Sequence, residues 1–217
     1  MLKVLEPLIA AALETGWATG FGSISDVRIE AMRLGLTEVA NRHGNPTMTT
    51  LRPVSPKEAN PNSLSAQYGR DAQPLHTDGA HLKDPPDLVV LACDDVNLTP
   101  TRLWVRKEGR VRYSAPQHVC HGVFLVQNGK ESFYSTAYTK GRYRYDPGCM
   151  TPCDARSRET VKFFSDAMGR SAEHFWDVAG KLLVIDNRQA LHARASASDD
   201  PQRTLHRISF HLKGEGK

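Results

Sequence analysis

From Met48 to Leu212 the apolar residues come in short runs broken by turn formers, and this spacing restricts the fold more than any other feature of the chain. The candidate strands are Met48 to Arg52, Leu88 to Cys93, Thr101 to Val105, Val119 to Val126, Ser132 to Ala137, Leu182 to Ile185 and Thr204 to Leu212. They lack the regular strand-helix alternation of a parallel sheet, which favours a sandwich, barrel or jelly roll over a doubly wound fold. The expected architecture is mainly β, two antiparallel sheets with helices on one outer face. No unbroken apolar run, Leu88 to Cys93 included, comes near the roughly 18 residues that cross a bilayer, so no membrane span is expected.

Helical periodicity is confined to three places. Leu5, Ile9 and Leu13 recur at four-residue spacing in a segment from about Leu2 to Thr15. A second pattern starts with Ser25 or Asp26 as N-cap and runs through Ile29, Met32, Leu36 and Val39 to Gly44; a third covers about Ala155 to Met168. The first segment carries Glu6, Pro7 and Glu14 around its apolar stretch, so it reads as an amphipathic helix rather than a signal peptide, with a cytoplasmic protein as the default. At 217 residues, one domain over 1–217 with a single large core is expected. Four cysteines are too few for a disulfide scaffold, and the Cys149-x3-Cys153 spacing lacks the second pair that a structural zinc site needs. The formal charge of +4 is too small an excess to imply a nucleic-acid partner, while a small anionic substrate is easily accommodated.

Chemistry concentrates in two segments. Pro74-Leu75-His76-Thr77-Asp78-Gly79 sets His76 and Asp78 two residues apart, which on an extended strand puts imidazole and carboxylate on one face. Such a pair is common by chance and gains meaning only from a third ligand. The run Leu182 to Arg194 supplies one: an apolar strand ends in the turn formers Asp186 and Asn187, and the chain then delivers His192 beside Leu191. Two imidazoles and a carboxylate on one face leave open positions and suit a non-haem Fe(II) that must also bind a cosubstrate and O2. A hydrogen-bonded core histidine is the plainer reading of His192 taken alone. Arg203 and Arg207 follow 11 and 15 residues later, and paired guanidinium forks beside a metal suit a dicarboxylate.

With these residues in place, the sequence resembles the Fe(II)/2-oxoglutarate-dependent dioxygenases of the taurine dioxygenase and dichlorophenoxyacetate dioxygenase type. The resemblance spans about Ser65 to Leu212. It rests on Leu75 to Asp78, on Pro85-Pro86 before the strand Leu88 to Cys93, on Asp186-Asn187-Arg188 with Leu191-His192-Ala193-Arg194, and on Pro201 to Arg207. It implies a double-stranded β-helix, or jelly roll, with His76, Asp78 and His192 as the iron ligands. It implies Arg203 as partner of the distal carboxylate of 2-oxoglutarate, Thr101 as a second contact there, and Arg207 near the metal-chelating end of the cosubstrate and the substrate. Leu98-Thr99-Pro100-Thr101 departs from the glycine-rich stretch usual before that threonine. The implied reaction is oxidation, by default hydroxylation, of a small anionic metabolite, with release of succinate and carbon dioxide. A demethylase of the same metal class and a non-catalytic metal-binding jelly roll are the alternatives, and a homo-oligomer stays open.

Other features weigh less. Gly141 to Asp146 is basic and aromatic, so Arg142 and Arg144 are candidates to add to the field around an anionic substrate, although a solvated loop also explains them. His206 alternates with Arg207 and should face away from it. Trp176 reads as core, and Ser65 and Tyr68 are candidate site-lining residues by position. His81, His118 and His121 offer no ligand spacing.

Overall fold

The structure is a computed structural model, and it describes residues 3–42, 44–61, 63–106 and 115–212. In chain order the elements begin with α1 (Leu5–Thr15), β1 (Trp17–Phe21), α2 (Ile24–Arg33), β2 (Thr37–Glu38), β3 (Met48–Leu51), α3 (Leu64–Tyr68), β4 (Leu88–Ala92) and β5 (Asn97–Val105). They continue with α4 (Gln117–His121), β6 (Phe124–Val126), β7 (Phe133–Ser135), β8 (Tyr138–Thr139), β9 (Arg142–Tyr143) and β10 (Met150–Pro152). The last are α5 (Ala155–Met168), β11 (Ala172–Trp176), β12 (Lys181–Asp186), β13 (Ala190–Arg194) and β14 (Leu205–His211).

The large sheet runs β1-β12-β4-β14-β2, with β3 also paired to β14; a second runs β11-β5-β13, and a third β10-β6-β7. Every pairing between these strands is antiparallel. β4 is buried along its whole length because both faces are covered. Leu88, Val90 and Ala92 meet Leu5, Ile9 and Val27 of the α1 and α2 layer, while Val89 and Leu91 turn to Leu103 and Trp176 of the second sheet. β12 divides its side chains in the same way, and so a continuous apolar run stands where a one-sided sheet would alternate. Leu103 faces the large sheet, whereas its neighbour Trp104 faces outward into a further core with Phe124, Tyr145 and Phe164. Helices on one outer face alone are therefore too few: α5 and the third sheet cover the other side.

Several expected boundaries move. The first helix starts at Leu5, and its expected start at Leu2 lies outside the described residues. The second helix begins after Ser23, not Ser25 or Asp26, because Ser23 and Asp26 form a reciprocal capping box; it ends at Arg33, well before Gly44. Gly35, at φ +71°, turns the chain out of the helix, and Thr37 and Glu38 join the large sheet. The expected strand Val119 to Val126 is half helix, since Pro116 opens α4 and the chain leaves it at Gly122. A Cβ on Gly122 would lie 2.6 Å from both the His118 carbonyl oxygen and the Ser157 amide nitrogen. That closeness lets α4 pack on α5. β1, β11 and β13 were not expected, because Trp17–Phe21, Ala172–Trp176 and Ala190–Arg194 are too mixed in polarity to read as apolar strands. α5 matches its expected span, with Asp154 accepting from Ser157 at its start.

Candidate active site

His192 lies on β13, opposite Leu103 of β5, and points into the space between the two larger sheets. His76 is not on a regular strand. Its amide donates to the His192 carbonyl and accepts the return bond from the His192 amide on its own carbonyl, each at 2.9 Å, so one isolated bridge sets the two imidazoles side by side. Their ring centroids are 4.5 Å apart. Asp78 sits in the turn beyond, and reaches the same point by chain bending rather than by the pleat of a strand. Gly79 makes that bend possible: it adopts φ +68°, and a Cβ there would come within 2.7 Å of Pro86 Cδ.

His76, Asp78 and His192 form the one group of three among the described residues whose ligating atoms all lie within 4.8 Å of one another. His76 Nε2 and His192 Nε2 stand 4.0 and 3.8 Å from Asp78 Oδ1, beyond hydrogen-bonding distance. The His76 Nδ1–H donates to the Pro74 carbonyl at 3.0 Å, which fixes the tautomer that leaves Nε2 with its lone pair. Burial, reinforced by neighbouring His76, depresses the His192 pKa to about 3, so this imidazole is neutral. Burial alone would raise the Asp78 carboxyl; Arg207, with smaller help from His192 and His76, holds it below its ordinary value and ionised. Two imidazoles and a carboxylate fit a divalent first-row metal. Cys149 and Cys153 belong to no such group, and the cysteines are all free.

A cavity of about 540 Å³ opens beside these groups, lined among others by Leu91, Thr101, Arg194, Arg203 and Arg207. Arg203 is almost fully buried, and its Nε donates to the Thr99 carbonyl at 3.4 Å. It has no ion pair among the described residues, and burial, together with nearby Arg194, lowers its pKa to about 10. Thr101 is buried on β5, where its Oγ1 accepts from Trp176 Nε1 at 3.0 Å. Trp176 is core, and this bond ties it to the cavity wall. Arg207 does not project freely into the cavity: its NH1 donates to Asp78 Oδ1 and Oδ2 at 3.0 and 3.2 Å. His206 turns the other way, to Asp94, as alternation requires.

Arg142 and Arg144 lie away from the lining. Arg142 pairs with Asp87 and Arg144 bonds the carbonyls of Ala80, Leu82 and Lys83, so both brace the 80–87 loop. Ser65 lines the cavity and accepts from Gln73 Nε2, whereas Tyr68 is not among the lining residues. Arg194, which belongs to the motif that carries the family resemblance, lines the cavity from β13; sequence reading missed Arg52, which lines it from the end of β3. It saw Asn187 as a turn former and as part of the Asp186-Asn187-Arg188 motif, not as a side chain that bonds the backbone of Asp78. A polar residue directly before an arginine at the end of an apolar strand was the signal at hand, and it does not disclose a partner a hundred residues away.

No family model matches the chain. Among solved structures it is similar to the non-heme iron oxygenase OrfP in complex with Fe, succinate and (3S)-hydroxy-L-Arg, at 14% identity over 96% of this chain and 80% of that one, with TM-score 0.67. OrfP in complex with Fe and alpha-ketoglutaric acid gives 15% identity over 94% and 78%, with TM-score 0.65. Asparagine oxygenase in complex with Fe(II), 2S,3S-3-hydroxyasparagine and succinate gives 16% identity over 76% of this chain, with TM-score 0.58, and the chain spans 56% of that protein's length. At these identities the likeness is one of fold.

Proposed function

We propose that this chain is a single-domain Fe(II)- and 2-oxoglutarate-dependent oxygenase with a jelly-roll fold, oxidising a small anionic metabolite. The observation that carries the reading is the buried, unpaired guanidinium of Arg203 in the same cavity as the His76, Asp78 and His192 cluster. Asp200 acts on this guanidinium only as a minor influence and forms no ion pair with it; a buried cation without a direct partner is costly, and a dicarboxylate cosubstrate provides one. The fold likeness to oxygenases crystallised with Fe and succinate or alpha-ketoglutaric acid supports it. The taurine dioxygenase subtype rests on the motif spacing.

In this reading His76, Asp78 and His192 hold the metal, and Arg203 holds the distal carboxylate of 2-oxoglutarate. Thr101 already accepts from Trp176, so its own O–H is available to donate to that carboxylate. When bound, Fe(II) with 2-oxoglutarate supplies the oxygen activation that couples substrate oxidation to release of succinate and carbon dioxide. Leu51 and Leu91 in the cavity wall help keep water from the reacting end. The cation that serves an anionic substrate is Arg52, which lines the cavity with no ion pair among the described residues; Arg142 and Arg144 are committed elsewhere.

Succinate formation from 2-oxoglutarate with Fe(II) and ascorbate, across a panel of small carboxylates, sulfonates and phosphates, tests the reading. At least one acid should stimulate turnover, and Arg203→Leu should weaken 2-oxoglutarate binding by about 30-fold or more, the equivalent of about 2 kcal/mol for a broken charge pair. No succinate with any compound, together with unchanged 2-oxoglutarate binding in Arg203→Leu, would overturn it.

A further inference from the structure

Asn187 is 1% exposed, and all of its side-chain bonds go to backbone. Its Oδ1 accepts from the Asp78 amide at 2.9 Å, while its Nδ2 donates to the Asp78 carbonyl at 3.0 Å and to the Pro86 carbonyl at 2.9 Å. Its own amide donates to the Asp87 carbonyl at 2.9 Å. The residue thus grips Asp78 on both sides of its Cα and closes the loop 78–87 from the opposite end of the chain. Asn187 also sits in the turn between β12 and β13, five residues before His192. One rigid hairpin therefore carries a candidate ligand, His192, and the clamp that sets the backbone of another, Asp78.

We infer that Asn187 is a positioning residue for the metal site: it holds the Asp78 carboxylate in register with His192, so that affinity and coordination geometry depend on a side chain that never touches the ion. The inference rests on the metal reading of His76, Asp78 and His192. Without the clamp, the Asp78 amide and carbonyl lose their partners next to Gly79, and the turn gains freedom that metal binding must then remove. Neighbouring Asp186 and Arg188 pair with each other, with Arg188 Nε 2.8 Å from Asp186 Oδ1, and leave Asn187 to make these bonds alone.

The test is Co(II) titration of the metal-free protein, read by the d–d absorption band, alongside amide hydrogen exchange at Asp78. Asn187→Ala should bind Co(II) at least 10-fold more weakly, with an altered band and faster exchange at Asp78. Leu183→Ala, a cavity in the adjacent core on β12, supplies general destabilisation and should leave affinity and band as in the parent. Asn187→Asp retains the acceptor but sets a carboxylate oxygen against the carbonyls of Asp78 and Pro86; it should shift binding the same way, and it answers the question if Asn187→Ala does not fold. Equal losses in Asn187→Ala and Leu183→Ala, or no loss in the Asn187 variants, would overturn the clamp. Asp78→Ala separates the two levels: lost binding there with parent-like binding in the Asn187 variants overturns the clamp alone, and retained binding in Asp78→Ala overturns the metal reading.

Discussion

Asp78 and Arg207 form an ion pair with little solvent access, and removing either partner leaves the other charge buried and uncompensated. Breaking such a pair typically costs about 3 to 5 kcal/mol, far above the value of a surface pair. Arg207→Leu should therefore lower the stability of the metal-free protein by an amount of that order, read as a shift of the urea midpoint. Its effect on substrate should be smaller than its effect on metal binding, because the guanidinium, although at the cavity wall, is engaged by the Asp78 carboxylate. A rise in KM for an anionic substrate with stability unchanged would contradict this. Arg203 stands at the other extreme, a buried cation with no ion pair among the described residues, and its variants should change 2-oxoglutarate affinity more than stability.

At the scale of elements, α1 lacks an N-cap side chain of its own and borrows one from α2. The amides of Val4, Leu5 and Glu6 donate to the Glu30 carboxylate at 2.9, 2.9 and 3.1 Å. Burial alone would raise the Glu30 carboxyl, but these three bonds outweigh it and hold the pKa below its ordinary value. A carboxyl with a depressed folded pKa contributes stability that is present above its unfolded value of about 4.3 and is lost as pH falls through the folded one. Glu30→Gln should cost about 1 to 3 kcal/mol at pH 7, and the gap to the parent should close as the pH falls below the unfolded value of about 4.3 and on through the folded one, as measured by thermal melts. A constant gap across that range would remove Glu30 from the account. The opposite end of α1 is constrained by Gly16 at φ +98°, where a Cβ would lie 2.3 Å from Val105 Cγ2, so the helix is pinned to the second sheet as well as to β1.

For the molecule as a whole, the candidate metal site lies at one end of the space between the two larger sheets, with ligands drawn from β13 and from the 76–78 segment bridged to it. A ligand that binds only the folded state stabilises it by mass action, about 2.7 kcal/mol at 100 times its dissociation constant. For a chain of this size that is a rise in Tm of about 5 to 11 °C. Mn(II) at that excess should produce a rise of this order in the parent and none in Asp78→Ala. No helix among the described residues is long and apolar enough to cross a membrane.

What could be read in the residues is what short-range chemistry governs. The apolar runs of β4, β12 and β14 announce buried strands, the 3.6 period with Asp154 announces α5, and His76, Asp78 and His192 stand out together as a candidate ligand set by residue type, with Arg203 singled out by what the family resemblance implies. Strands of mixed polarity such as β1 and β13 have no local signature, because their place comes from pairing with β12 and β5 across long stretches of sequence. The same holds for direction. The family resemblance separates Arg203 and Arg207 from Arg142 and Arg144 in the sequence, but only long-range contacts set Arg207 against the Asp78 carboxylate, leave Arg203 at the cavity wall without an ion pair among the described residues, and turn Arg142 and Arg144 against the 80–87 loop. Asn187 follows the same rule: a turn former by type, it became a clamp because folding brought the Asp78 backbone within 3 Å of its amide.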